Sequence, residues 1–88
     1  MVDVQETLDE RGKTHGDFGI NAVASQNLKS VISRSTVKIL SATQLEALDV
    51  ICAKIARIIT GDPDHADSWH DIAGYATLVE QYILKETK

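Results

Sequence analysis

The stretch Leu45-Glu-Ala-Leu-Asp-Val-Ile-Cys-Ala-Lys-Ile-Ala-Arg-Ile-Ile59 decides how this chain folds. Eleven of its fifteen residues are apolar: Leu45, Ala47, Leu48, Val50, Ile51, Cys52, Ala53, Ile55, Ala56, Ile58 and Ile59. A surface helix needs one apolar stripe, whereas this segment is apolar almost all round and predicts a central helix. Ser41 and Gln44 stand at N-cap and N3 of a capping box that opens it. Gly61 closes it after about Thr60.

The remaining elements are read outward from that helix. A short first helix is expected over Val2–Arg11, with Val4 and Leu8 on one face and Gly12 as its stop. The loop Gly12–Asp17 follows, and Asp17 is a good N-cap for a second helix over 18–33. Its stripe is Ile20, Val23, Ala24, Asn27 and Val31. Ser35-Thr-Val-Lys-Ile-Leu40 is the one β-branched cluster, and it has no partner strand. Pro63 places a turn at Asp62–His65. A last helix then starts at Asp64 or Ala66 and runs to about Lys85, with Trp69, Ile72, Ala73, Ala76, Val79 and Ile83 as its core stripe. The expectation is one all-α domain over residues 1–88, a small bundle of three main helices and a short N-terminal one.

Eighty-eight residues leave no room for a second domain. A chain this short is marginal alone, which makes a homo-oligomer the natural expectation. Its net charge of −4 argues against general affinity for duplex nucleic acid or anionic lipid. The single Cys52 cannot form an internal disulfide and sits on the apolar side of its helix, as a core residue rather than a nucleophile. The first residues are acidic and lack the apolar segment of a signal peptide, and no run reaches membrane-span length. A cytoplasmic protein is expected.

Four charges interrupt the central helix. Glu46 and Arg57 fall nearly in line at 100° per residue, with Asp49 and Lys54 on the flanks. A narrow solvated strip would explain them. A second helix approaching over Ala47, Ala53 and Ala56 would instead desolvate them, and each would then need a partner, a metal or a use. The last helix offers such a face in Asp67, Asp71, Gly74, Tyr75, Leu78 and Tyr82. That face is a subunit interface, a pocket, or a pocket at an interface. Asp67 and Asp71 lie a turn apart, as do Glu46 and Asp49, so four carboxylates on two helices could hold Mg²⁺ with water and substrate phosphates. Asp67 alone is also explained by the helix dipole. His65 and His70 are badly spaced for one metal, and no zinc spacing is present. The Lys13–Asp17 loop, carrying Lys13 and His15, is a second place for an anion.

Two segments have a family likeness. Glu10-Arg-Gly-Lys-Thr-His-Gly-Asp-Phe18 and Lys54-Ile-Ala-Arg-Ile-Ile-Thr-Gly-Asp-Pro-Asp-His-Ala-Asp-Ser-Trp-His-Asp-Ile-Ala-Gly-Tyr-Ala76 resemble a small uncharacterised domain of phages and prophages. That domain is remotely similar to the all-α nucleotide pyrophosphohydrolases of the MazG and phage dUTPase type. The resemblance implies Mg²⁺ on acidic pairs of neighbouring helices, here Glu46 with Asp49 and Asp67 with Asp71. It implies nucleotide phosphates facing Lys54 and Arg57. Those enzymes carry Glu-x-x-Glu followed by Glu-x-x-Asp; this chain has Glu-x-x-Asp followed by Asp-x-x-x-Asp. The likeness therefore supports nucleotide handling more firmly than catalysis.

Three functions follow as expectations. The first is a homo-oligomeric nucleotide binder with phosphates on Lys54 and Arg57, or on Lys13 and His15, and the base against Tyr75, Tyr82 or Phe18. In a phage setting it would sequester a host immune signalling nucleotide in the host cytoplasm. The second is a Mg²⁺-dependent pyrophosphohydrolase that cleaves between the α- and β-phosphates. The third is an interaction module whose last helix binds another protein.

Overall fold

The computed structural model describes residues 3–86, and every regular element among them is helical: α1 (Val4–His15), α2 (Phe18–Ser35), α3 (Ala42–Thr60) and α4 (Ala66–Glu86). Val2, where the sequence places the start of the first helix, lies outside the described residues. The helix starts follow from local chemistry. Asp3 accepts the Gln5 N–H, Asp17 accepts the Ile20 N–H at 3.0 Å, and Ser41 and Gln44 form the reciprocal capping box.

Gly12 does not stop α1. The helix runs through it to His15, and the stop is Gly16 at φ 77°, whose N–H donates to the Gly12 carbonyl. A glycine in a helix interior costs about 1 kcal/mol but keeps its place in the hydrogen-bond ladder. A left-handed residue breaks the ladder. The expected six-residue loop thus shrinks to Gly16 and Asp17, and α2 runs two residues past the expected 33, ending at Ser35.

The central position of α3 is as expected. It packs against α2 on one side and α4 on the other, while α1 closes on α2 and α3; α2 and α4 do not meet. Its small residues make these approaches close, and Ala47, Cys52 and Ala56 are buried together with Ile58.

Two expected stripes are corrected. On α2, Ile20, Val23, Asn27 and Val31 of the expected stripe face outward and only Ala24 turns inward, where it is joined by Ser25, Leu28 and Ile32 among others. Both sets obey helical spacing, and buried Ser25 lets the second set approach α3. On α4, Trp69 is exposed, its indole N–H donating to the Pro63 carbonyl at 2.8 Å. Ala73, Ala76 and Ile83 are exposed too, and the buried or half-buried positions are Ser68, Asp71, Ile72 and Val79. With α3 as its one neighbour, α4 has a narrow seam in place of a broad core face.

The result is an open arrangement. Its radius of gyration is 15.2 Å, against about 12 Å for a compact domain of this length. Its accessible surface is 6718 Å², against about 5,100 Å² for a compact monomer of this mass. No large side chain is fully buried among the described residues. No described helix is long and apolar enough to cross a membrane.

Candidate functional site

Two glycines bring the N-terminal motif against the end of α3. A Cβ at Gly16 would run into the Thr60 carbonyl, and one at Gly61 would stand 2.6 Å from the Thr14 oxygen and the His15 carbonyl carbon. With both side chains absent, the backbones touch. Asp62 then donates its N–H to the Thr14 carbonyl at 2.9 Å, and Gly61 donates to Arg57 at 3.0 Å. The Asn21 amide reaches the His15 carbonyl from α2 at 3.5 Å. The His15 backbone is thereby tied to α2, while its neighbour Thr14 is tied to the turn after α3.

The side chains carried by this junction are two imidazoles, a lysine and an arginine. The His15 and His65 rings meet edge-on, with centroids 5.9 Å apart. Burial pushes the His15 imidazole below its ordinary pKa, and the positive charges of Arg57, His65, Lys54 and Arg11 push it the same way. Lys54 reaches across to α4, its Nζ 2.8 Å from Asp71 Oδ2. The hydrogen bond and charge of Lys54 hold the Asp71 carboxyl below its usual range; His70 and Arg57 add to this and partial desolvation opposes it. Arg57 joins none of the three ion pairs among the described residues, which are Lys13–Glu10, Lys54–Asp71 and His65–Asp67. A planar fork of N–H donors therefore stands beside a lysine and two histidines on a chain of net negative charge. This geometry suits a multiply charged anion.

Not all the expected residues come together. His15, Lys54 and Arg57 do, from α1 and α3. Lys13 points outward and pairs with Glu10 at 3.3 Å on its own helix. Tyr75 lies one turn beyond Asp71, in a shallow groove with His70, Gly74 and Leu78. Tyr82 is at the far end of α4, in a second groove with Ile39, Leu40 and Gln44. Phe18 is exposed at the start of α2.

The four carboxylates are dispersed. Glu46 is exposed, and Asp49 lies toward α2 beside Lys29 and Ile32. Asp71 is taken by Lys54, and exposed Asp67 is 4.0 Å from His65 Nε2. Among the described residues no three metal-ligating side chains converge. The residues implied as Mg²⁺ ligands do not fit that ion within one chain. Cys52 is buried, and desolvation pushes its thiol pKa up, which leaves it a core residue.

His65 meets His15 in the site and was not singled out in the sequence as its member; exposed Arg11 adds only its positive charge at His15. His65 pairs with His15 and not with His70. The usable signal was the two motifs themselves: each carries a histidine and a glycine that permits backbone contact, Gly16 next to His15 and Gly61 four residues before His65.

A family model described as Domain of unknown function (DUF6378) matches residues 2–83. No curated protein and no solved structure matches the chain.

Proposed function

The chain belongs to the DUF6378 family, and we propose that it captures a phosphorylated nucleotide, with the phosphates held by Arg57, Lys54, His15 and His65. What supports this reading is the ring contact of His15 with His65 and the positive charge of Arg57 and Lys54 felt at His15, with Arg57 in none of the ion pairs among the described residues. An arginine fork with a lysine and two imidazoles matches the charge and acceptor geometry of a diphosphate or triphosphate. The sequence likeness to nucleotide pyrophosphohydrolases supports a nucleotide over a bare anion. Tyr75, one turn from Asp71, supplies an aromatic face for a base.

Capture is favoured over cleavage because, among the described residues, the four carboxylates are dispersed and the one thiol, Cys52, is buried with its pKa pushed up. The biological setting in keeping with this is a homo-oligomeric phage protein in the host cytoplasm that withdraws a signalling nucleotide. Calorimetric titration with ATP, pyrophosphate and adenosine, each in chelator and in Mg²⁺, tests the reading. ATP and pyrophosphate should bind in chelator, adenosine should not, and ATP should be recovered intact. Loss of both phosphate ligands, or release of pyrophosphate in Mg²⁺, would overturn capture.

A further inference from the structure

Gly74 sits in the middle of α4 with no reason inside its own chain. A Cβ there would meet nothing within 4 Å, and its φ is not in the left-handed region. Glycine is disfavoured in a helix interior; Gly12 on α1 meets equally open space, but Gly74 lies in a groove with half-exposed Leu78 and Tyr75, where its missing side chain admits a close approach from outside. The face around it, with His70, Leu78 and Gln81, is open, and Leu78 is half exposed. The chain exposes about 1,600 Å² more than a compact monomer of its mass. A standard interface removes about 800 Å² from each partner, so that excess is enough for one.

We infer that a second copy of this chain crosses α4 antiparallel at Gly74 and brings the partner subunit's Tyr82 to the phosphate site of the first copy. The direction follows from charge. A parallel pair would set Asp67 against Asp67 and Asp71 against Asp71. An antiparallel crossing at Gly74 puts the two Asp67 carboxylates about 20 Å apart, at 1.5 Å per residue. It places Asp67 opposite Gln81, and His70 opposite Leu78.

The same symmetry completes the site. Asp71, Tyr75 and Tyr82 fall within about 40° of one another around α4, on the flank that reaches Lys54. A two-fold axis perpendicular to the helix keeps that flank on the same side in both copies. Tyr82 is about 16 Å along α4 from Asp71 of its own chain, too far to serve that site. From the second copy it lies level with the first turn of α4, beside Asp67 and His65. The nucleotide role rests on the proposed capture; the crossing itself does not.

Cross-linking tests the crossing, with buried Cys52 retained. Gly74→Cys should form a symmetric disulfide under mild oxidation, since Cα atoms within about 4.4–6.8 Å can be bridged. Asp67→Cys should link to Gln81→Cys in a mixture and not to itself. Glu80→Cys, off the crossing, should not link. A monomer by sedimentation at roughly tens of micromolar, above the μM-to-pM range of standard-size interfaces, or self-linking of Asp67→Cys, would overturn the antiparallel pair.

Complementation tests the shared site. Tyr82→Ala should weaken ATP binding about 5- to 150-fold through lost stacking. Arg57→Ala and Tyr82→Ala chains, each impaired alone, should regain one intact site per pair when co-expressed. No recovery, or unchanged binding in Tyr82→Ala, would overturn the donated tyrosine. A wild-type protein that cross-links as stated but ignores ATP would sink the capture reading and leave the crossing standing. A monomer that binds ATP through Arg57 would do the reverse.

Discussion

Lys54 and Asp71 meet at 2.8 Å between α3 and α4, the lysine side chain 17% exposed and the carboxylate 42% exposed. The pair is the one ion pair joining two helices among those described, and it borders both the cationic junction and the Gly74 groove. It fixes where the lysine ammonium points. It also lends the site its nearest negative charge, which a bound phosphate has to face.

Asp71→Asn should therefore act in two directions. The folded carboxyl titrates below its ordinary 3.8, so its contribution is present above that value and is lost as pH falls through the lower folded one. The variant should melt below wild type at pH 7, and the gap should close as pH falls below 3.8 and through the lower folded value. Pyrophosphate affinity at pH 7 should rise, because Lys54 is released to the anion. A fall in affinity would assign Asp71 a direct role in holding the ligand.

His15 predicts the pH response of the fold. Its folded pKa lies below the ordinary 6.5, so the neutral ring is the native form. Stability is full above about pH 6.5 and falls as pH drops through the folded value. Thermal melts between pH 7.5 and 5 should show this decline, and His15→Gln should flatten it. Pyrophosphate should reverse it, since an anion stabilises the imidazolium. Titrations in buffers of different ionisation enthalpy should then show proton uptake on binding.

Arg57→Ala should weaken pyrophosphate binding by about 10- to 150-fold, the range of about 1.5–3 kcal/mol for charge-assisted hydrogen bonds. Arg57→Lys should restore only part, because a point charge lacks the planar fork. Lys13→Ala should change little, since Lys13 points outward to Glu10. Binding that survives Arg57→Ala with Lys54→Ala would place the anion at the Lys13–Asp17 segment.

The glycines separate contact from conformation. Gly61→Ala puts a methyl 2.6–2.8 Å from backbone atoms of Thr14, His15 and Arg57, none able to move alone. Overpacking of this kind costs about 1–3 kcal/mol, and each kcal/mol shifts the melting temperature by about 4–8 °C in a domain this small. Gly16→Ala should lose at least as much, with a positive φ added to the clash. Gly12→Ala meets nothing and should gain up to about 1 kcal/mol in α1. Parallel melts of the three variants decide this.

Local chemistry made much of the fold legible. The Asp17 cap, the Ser41–Gln44 box, the Gly61 stop and the all-round apolarity of α3 act within a few residues, and each stands where the sequence places it. Lys54 and Arg57 were readable as charges stranded in apolar company. Other features depended on what each helix meets. Helical spacing on α2 allows two stripes, and only packing against α3 chooses the one containing Ser25 and Leu28. Gly12 and Gly16 are alike as letters, but only the second is forced to a positive φ. The pairing of His15 with His65, and the separation of Glu46, Asp49, Asp67 and Asp71, are long-range outcomes. A side chain's turn on its own helix is set by residues next to it, whereas its partner across helices is set by how whole faces pack.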